Sequence, residues 1–295
     1  MMILNNLRTV GGTSMLKITF FGTTTLLFDD GVDQIFFDAH FTRPSIEKYI
    51  AGAHVTTNTG LCDKLIDLHQ IDRLRAIFIS HTHHDHVMDA PYIAGRCGAK
   101  IYGSSSAKNV AIGGGIPEEK IVVFKDGSEY SIGGYTIRII KSLHSKPNKF
   151  NNDLGVPIEN PLVQPASLRD YKEGGSYDFF IQHGEEKILI RPSFNYIKGQ
   201  LDGIQADVLF LGVAGLAKAD KDMEKVFFAE TVEKTKARLV IPVHWDNFFA
   251  SLENPVEDMP ELIEKTDVVF FKLAQYCEAH GINCLIQYPR TSIEI

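Results

Sequence analysis

The chain of 295 residues lacks the features that mark several classes of protein. Its four cysteines are scattered and form no Cys-x-x-Cys pair, which favours reduced thiols in a cytoplasmic protein over a disulfide framework (Cys62, Cys97, Cys277 and Cys284). No apolar segment near the N-terminus is long enough for a signal peptide or a membrane span. Residues 1–14 are mixed in character and Gly-rich at their end, so we expect a loosely ordered leader before a single domain of residues 15–295.

The chain also lacks a block of lysines or arginines, and its formal net charge is −7. A nucleic-acid phosphate backbone is therefore a poor partner, and a small-molecule substrate is the expected one. Apolar and charged residues make up 44% and 23% of the chain, as in ordinary globular proteins with a sizeable core. The sequence is silent on oligomeric state, for which a homodimer is the commonest closed assembly.

What the chain does have is a concentration of histidine. The run His81-Thr82-His83-His84-Asp85-His86 holds four of its eleven histidines and one aspartate, directly after the apolar stretch 76–79. Imidazole and carboxylate are ligands that suit zinc and its first-row neighbours. On an extended segment His81 and His83 point the same way, because side chains alternate along a strand. We expect these two histidines to hold one metal.

The second part of this run predicts a second metal position. Asp85 occupies the N-cap position of a predicted helix, Val87–Cys97, and the turn brings Asp85 and His86 beside the first pair. His84 has a spacing that points it away from the others, and it is predicted not to be a ligand.

Two further histidines are candidate ligands because of where they lie. His144 follows the apolar strand Ile137–Lys141, and His244 follows the apolar strand Leu239–Val243. Both end a strand in the manner of His81, so three strands ending in histidine are expected to converge on one rim.

Strands come in two blocks with helices interspersed, and ligand candidates sit at strand C-termini in both. The pattern predicts two similar α/β halves that face each other, with a long polar loop at about 145–176. The predicted strands are Lys17–Phe21, Thr25–Phe28, Gln34–Asp38, Arg75–Ser80, Lys100–Tyr102, Ile121–Phe124, Glu129–Ile132, Tyr135–Lys141, Tyr177–His183, Lys187–Arg191, Asp207–Leu211, Arg238–Val243 and Asn283–Tyr288. The predicted helices are Pro44–Gly52, Thr59–Gln70, Val87–Cys97, Ala219–Lys236 and Asp267–His280.

A His-x-His-x-Asp-His motif after an apolar strand, a later lone histidine, and Pro-Val-His-Trp at 242–245 resemble the metallo-β-lactamase superfamily over residues 16–288. The resemblance implies an α/β fold, a four-layer αβ/βα sandwich, with a dinuclear site at one edge of the two sheets. It implies two ligand sets, with His81, His83 and His144 for the first metal, and Asp85, His86 and His244 for the second. It also implies one or two Zn²⁺ per chain, with Mn²⁺ or Fe²⁺ as alternatives.

Three segments resemble one branch of this superfamily more closely. These are Phe37–Ala39, Asn151–Gly155 and Asp207–Gly212, and the branch contains ascorbate-6-phosphate lactonases and N-acyl-phosphatidylethanolamine phospholipase D-like hydrolases.

One position departs from the family pattern, in which an aspartate bridges the two metals at the end of the strand after the loop. Aligning Lys187–Arg191 with that strand puts Ser193 at the bridging position. A neutral hydroxyl is a weaker ligand than a carboxylate. Either the second metal site is poorly filled or another acid substitutes, and Asp38 and Asp153 are the candidates.

Other residues near the predicted rim are candidates for supporting roles. In the family an aspartate at the position of Asp38 orients a ligand histidine. Arginines at the rim can bind a carboxylate or phosphate of a substrate. The candidates for substrate binding are His40, Arg43, Arg191 and Tyr196.

These features favour a metal-dependent hydrolase of a small, anionic ester, lactone, amide or phosphodiester. Coordination lowers the pKa of a water from about 15.7 to near 7 and gives hydroxide at neutral pH, and Asp85 is the candidate catalytic residue because it can ligate or take up a proton. The main alternative is a metal-binding or ligand-sensing protein of the same fold that has lost turnover. A nuclease and an iron-dependent redox enzyme are less favoured, because of the charge and of Ser193.

Overall fold

The computed structural model describes residues 15–147 and 152–295, so the expected leader and residues 148–151 of the predicted loop lie outside the described residues. Within these residues the strands form two seven-stranded sheets and one two-stranded ribbon. The strands are β1 Lys17–Phe20, β2 Leu26–Asp29, β3 Gln34–Phe37, β4 His54–Val55, β5 Leu74–Phe78, β6 Lys100–Gly103, β7 Ile121–Val123, β8 Glu129–Ile132, β9 Tyr135–Lys141, β10 Ala166–Ser167, β11 Tyr177–His183, β12 Glu186–Arg191, β13 Val208–Gly212, β14 Leu239–Val243, β15 Asn283–Cys284 and β16 Thr291–Glu294. The α-helices are α1 Ile46–Ala51, α2 Thr59–Leu68, α3 His84–Val87, α4 Ala90–Cys97, α5 Ser105–Gly113, α6 Lys221–Phe228 and α7 Thr266–His280.

The two sheets have the same plan. The first has the order β16-β1-β2-β3-β5-β6-β7, and the second has the order β15-β14-β13-β12-β11-β9-β8. In each sheet one part is parallel (β3-β5-β6-β7 and β12-β13-β14-β15) and the rest is antiparallel. The prediction of two similar α/β halves is confirmed.

Alternating burial along the strands creates the layers. On β3, Ile35 and Phe37 face the core between the sheets, whereas Phe36 faces the helices α2, α4 and α5 on the outer side. Across the sheets, the ring of Phe37 lies 5.2 Å from the ring of Phe179 on β11. Full burial of such a ring stabilises the fold by about 1.5–3 kcal/mol. On the far side, α6 and α7 pack on the second sheet through residues such as Phe227 and Leu273, which completes the four-layer sandwich.

Some predicted elements are shorter or divided. The predicted helix 219–236 is α6 followed by a π-helical turn, Ala229–Glu233. Of the predicted strand 283–288, only β15 pairs in the second sheet, because the chain then crosses to the first sheet. In that crossing, Gln287 donates hydrogen bonds to the backbone oxygens of Ile18 and Thr291.

The elements β4, α5 and β16 were absent from the prediction. The described part of the predicted loop, 152–176, contains β10 and a 3₁₀ turn, Leu168–Asp170. No helix in the described ranges is both long and apolar enough to cross a bilayer.

Candidate metal centre

Loops at one edge of both sheets carry the predicted ligands. His81 follows β5, His144 follows β9 and His244 follows β14, and the strands of both sheets end here. Backbone hydrogen bonds join the loops across the edge: Tyr177 donates to the oxygen of Ser80 at 3.0 Å, and His244 donates to that of Thr23 at 2.6 Å. The edge therefore has a fixed backbone frame for its side chains.

The structure brings His81, His83 and His144 together in a first ligand set. One ring nitrogen from each histidine lies within 4.8 Å of the other two. The ring centroids of His81 and His83 are 5.0 Å apart, and each is 4.7 Å from the centroid of His144. The three rings therefore face a common point.

A second ligand set, Asp85, His86 and His244, lies beside the first. Its three ligand atoms are also within 4.8 Å of one another. Asp85 Oδ2 is 3.5 Å from His86 Nε2 and 3.3 Å from His244 Nε2. Because the ring centroids of His81 and His86 are only 3.8 Å apart, the two sets are direct neighbours.

The donor atoms fit a pair of divalent metals. Five imidazoles and one carboxylate are ligands that zinc prefers. His81 Nε2 and His86 Nε2 are buried and have no hydrogen-bond partner among the described residues. Buried polar atoms are normally paired, so metal ions that accept these lone pairs, one ion in each ligand set, would account for the two nitrogens.

Asp38 holds His86 in place. Its Oδ2 lies 2.7 Å from His86 Nδ1, so the proton is on Nδ1 and the lone pair on Nε2, toward Asp85. Ser80 donates to both oxygens of this carboxylate, from its backbone N–H at 2.7 Å and from its hydroxyl at 2.8 Å. Thr24 Oγ1 binds the same carboxylate and lies 2.9 Å from His86 Nδ1. Such contacts fix the tautomer and the orientation of a ligand ring.

Similar contacts orient the first set. Asp153 Oδ1 lies 3.1 Å from His83 Nε2, so this carboxylate accepts the Nε2 proton and leaves the lone pair on Nδ1. His144 Nδ1 donates to the backbone oxygen of Ser145 at 3.2 Å, and His81 Nδ1 lies 3.1 Å from Ser80 Oγ. Asp38 and Asp153, which the sequence suggested as substitutes for a bridging acid, therefore stand behind the histidines and belong to neither ligand set.

Burial keeps two of the ligand histidines, His81 and His144, neutral. Burial and the neighbouring histidines lower the pKa of His144 to about 3 and hold that of His81 well below its usual range. Burial alone would raise the pKa of Asp85, but His86, His244 and His84 outweigh it and hold that pKa well below its ordinary value. Burial opposes protonation of His244, but the contact with Asp85 outweighs it and raises its pKa. An ionised carboxylate beside imidazole nitrogens is suited to a cation.

The predicted helix cap at Asp85 is wrong. His83 precedes a short helix, α3, that contains Asp85, and a separate helix, α4, begins after Asp89. The reason is local, since Pro91 lies in the first turn of α4 and proline favours the start of a helix over its interior. Asp85 thereby turns its carboxylate toward His244.

His84 is buried, and it is in neither ligand set. Its Nδ1 lies 3.9 Å from Asp85 Oδ1, and its ring packs edge-on against His40 at 5.9 Å. Both ring nitrogens of His40 are buried without a hydrogen-bond partner among the described residues. Burial holds the pKa of His40 well below its usual range, so this ring is neutral beside the centre.

The two candidate arginines are used inside the protein. Arg43 binds Asp246 at 2.8 Å and the backbone oxygens of Phe21 and Asn247. Arg191 binds Asp178 at 2.8 Å, and both members of each ion pair are almost fully buried. These contacts indicate that both guanidinium groups stabilise the frame.

The turn after β12 reaches the first ligand set. Ser193 is buried in this turn, and its neighbours bind the His144 segment. The backbone N–H of Phe194 donates to Ser145 Oγ at 3.1 Å, and Asn195 Nδ2 donates to the oxygen of His144 at 2.7 Å. Tyr196 follows, half-buried against the core between the sheets. Ser193 thus lies in a turn beside the centre, and no carboxylate is contributed by this turn.

Sequence reasoning missed Thr24 and Ser80. Both residues act through contacts with Asp38 and His86. Along the chain, Thr24 lies 14 residues from Asp38 and 62 residues from His86. The one available signal is the polar run Thr23-Thr24-Thr25 between two apolar strands. The sequence analysis also missed the aromatic rings of Tyr49, Phe248 and Phe249 beside His84.

Comparisons with known proteins agree with this geometry. The family described as "Beta-lactamase superfamily domain" matches residues 34–245, more than half of the chain. A UPF0173 metal-dependent hydrolase of Myxococcus xanthus (strain DK1622) is 27% identical over 184 residues. That match covers 61% of this chain and 58% of the relative, so it spans less than two thirds of the relative's length.

Solved structures share the fold at low identity. An isothiocyanate hydrolase from Delia radicum gut bacteria has a TM-score of 0.58 at 17% identity, over 94% of this chain and 98% of that chain. A diiron β-hydroxylase from Streptomyces venezuelae has a TM-score of 0.60 at 12% identity, over 97% of this chain and 55% of that chain. At these identities the likeness shows the fold alone.

Proposed function

Because this chain belongs to the metallo-β-lactamase superfamily, we propose that it is a metal-dependent hydrolase of a small ester, lactone, amide or phosphodiester. The observation that carries the proposal is the pair of adjacent ligand sets, with the rings of His81 and His86 3.8 Å apart. The names of the curated relative and of the isothiocyanate hydrolase support a hydrolytic reaction. The four free thiols support the cytoplasm as its compartment.

We assign zinc as the metal, with manganese or iron as alternatives, and one or two ions per chain. The first ligand set would hold one ion and the second would hold the other. A divalent metal in such a site supplies Lewis-acid chemistry, since it polarises a substrate oxygen and lowers the pKa of a water toward 7. Among the protein's own groups, Asp38 and Asp153 hold the rings of His86 and His83 in the orientation that ligation requires.

Asp85 has two roles in this proposal. Its neighbours His86 and His244 keep it ionised at neutral pH, so it is available as a ligand. The same carboxylate can accept a proton from the attacking water, which makes it the candidate general base. Loss of Asp85 should therefore reduce turnover more than it reduces metal content.

The first test is His83→Ala, compared with His280→Ala at an exposed histidine of α7. We expect His83→Ala to lose most of the metal of the first set, measured by elemental analysis, and to lower ester or lactone hydrolysis by at least about 10³-fold. His280→Ala should match the parent protein in both. Full metal content with retained activity in His83→Ala would contradict the assignment.

Ser193 supports a second candidate, a metal-binding or ligand-sensing protein without turnover. Where the family usually has a bridging carboxylate, this turn supplies a hydroxyl, and Asp85 is the only acid in either ligand set among the described residues. One or two metals per chain, together with no hydrolysis of any ester, lactone, amide or phosphodiester tried, would favour this candidate.

A further inference from the structure

Four rings form a continuous group beside the second ligand set. This aromatic wall consists of Tyr49 on α1, His84 on α3, and Phe248 and Phe249 after β14. The rings of Phe248 and Phe249 are 4.5 Å apart, and Phe249 lies 5.9 Å from Tyr49. His84 joins them, stacked at 5.8 Å from Tyr49 and tilted at 6.4 Å from Phe249.

The aromatic wall borders the second ligand set. Phe248 packs edge-on against His244 at 5.3 Å, and His84 is the chain neighbour of Asp85. Tyr49, Phe248 and Phe249 remain partly exposed to solvent, whereas His84 is buried beneath them. The solvent-facing part of the wall beside the second ligand set is therefore made of three aromatic rings.

The two arginines that the sequence offered as anion ligands are not available at the wall. Arg43 and Arg191 are held in buried ion pairs with Asp246 and Asp178. Burial and the negative charges of Asp85 and Asp153 raise the pKa of Tyr49, and Arg169 opposes them. Arg169 in turn donates a hydrogen bond to the backbone oxygen of Ile50 at 2.9 Å.

We propose that the aromatic wall binds an apolar group of the substrate. The substrate class is then a neutral ester, lactone or amide with an alkyl or aryl group next to the bond that is cleaved. This inference rests on the proposed function, because the wall acts only on a molecule whose polar centre is at the metals. Apolar contact with such rings is strong and tolerant of shape, which suits a hydrocarbon chain or an aromatic ring.

The test uses the full, Co²⁺-loaded chain and a series of hydroxamic acids, from acetohydroxamic to octanohydroxamic acid. The hydroxamate head binds the metal and changes its visible absorption, and the tails differ only in length. We expect affinity to rise about fourfold for each methylene that the wall covers. The measured quantity is the dissociation constant of each hydroxamate, so the test does not require turnover.

Substitutions in the aromatic wall test whether it causes the increase in affinity with tail length. Phe248→Ala and Phe249→Ala should each lower the octano-to-aceto ratio of affinities by about tenfold or more, with Co²⁺ content as a check on folding. Phe271→Ala, at an exposed phenylalanine of α7 that is not part of the aromatic wall, is the matched control and should keep the parent ratio.

Three outcomes separate the inference from the proposed function. A ratio near one in the parent, with Co²⁺ bound, would overturn the inference alone. The inference would also be overturned if a hydroxamate whose tail ends in a carboxylate bound more tightly than one with an apolar tail. That result would indicate that Arg169 binds an anion beside the wall. Failure of the chain to bind Co²⁺, Zn²⁺ or Mn²⁺ would overturn the proposed function and the inference together.

Discussion

Asp38 is the residue on which the second ligand set most depends. Its carboxylate accepts from Ser80 and Thr24 and orients His86, all in a fully buried environment. It adopts a left-handed backbone conformation, with φ of 54°, that few residues with a side chain tolerate. A conformation of this kind costs about 1–3 kcal/mol and persists where the surrounding structure enforces it.

Asp38→Asn tests this dependence. Asparagine has the same shape and tolerates the left-handed conformation, but it carries no charge to hold the Nδ1 proton of His86. We expect metal affinity at the second ligand set to fall about 10–100-fold, measured by competition with a chelator. Asp72→Asn, which changes an exposed acid paired with Arg73, is the control. An unchanged affinity in Asp38→Asn would mean that His86 is oriented without it.

Among the elements, β13 and the turn after β12 meet backbone to backbone. A Cβ atom on Gly212, at the end of β13, would lie 2.2 Å from the backbone oxygen of Pro192 and 2.7 Å from the nitrogen of Ser193. These are backbone atoms, so they cannot rotate away as a side chain could. Glycine is therefore required for this turn to lie against the His144 segment.

Gly212→Ala should destabilise the protein by about 1–3 kcal/mol, because overpacking forces the backbone to shift. The measurement is the urea midpoint of unfolding of the metal-free chain. Gly60→Ala, in the first turn of α2, is the comparison, since its nearest neighbour would be 3.7 Å away. That variant should unfold at the same midpoint or slightly higher, because alanine favours a helix more than glycine does. Equal midpoints for both would show that the turn adapts.

The elements also show what the sequence can predict. The His81–His86 run and the apolar strands before His144 and His244 are local patterns that predicted the candidate ligands. The family resemblance implied their division into the two sets that the structure brings together. The two halves followed from the order of strands and helices. Hydrophobic periodicity does not show which strands pair at the edge of a sheet. The short strand β16 was therefore missed, and β15 was predicted to be longer than it is.

Partners from distant parts of the chain were beyond prediction. Arg43 looks like a rim charge in the sequence, but its carboxylate partner, Asp246, lies 203 residues away. The same holds for Asp153 and His83, which are 70 residues apart. Whether a charged side chain forms an ion pair depends on the tertiary fold. The residues next to it in the sequence do not show which distant residue becomes its partner.

For the molecule as a whole, buried histidines set the response to acid. Burial lowers the pKa of His84 to about 4 and that of His144 to about 3, and it holds those of His40 and His81 well below 6.5. In the unfolded chain these histidines become protonated near pH 6.5. In the folded chain they stay neutral at that pH because their pKa values are lower. The free energy of unfolding must therefore fall as the pH falls below 6.5. His244 acts in the opposite direction, because its pKa is raised.

We expect the metal-free chain to lose up to about 1.4 kcal/mol per unit of pH for each such histidine between pH 6.5 and 5. Urea unfolding at several pH values, after chelation, measures this slope. His144→Gln should make it shallower, whereas His280→Gln, at an exposed site, should not. A flat profile from pH 8 to 5 would contradict the burial of neutral histidines.

The pairing of β1 with β16 has a consequence for synthesis. Thr19 and Ser292 meet across 273 residues of sequence, and β1 forms one of its two ladders with this late strand. While the ribosome makes the intervening chain, one side of β1 presents unpaired N–H and C=O groups, a known template for association between nascent chains. Completion of the first sheet is thus a late, long-range event, and during translation this strand is the place where a chaperone would be most useful.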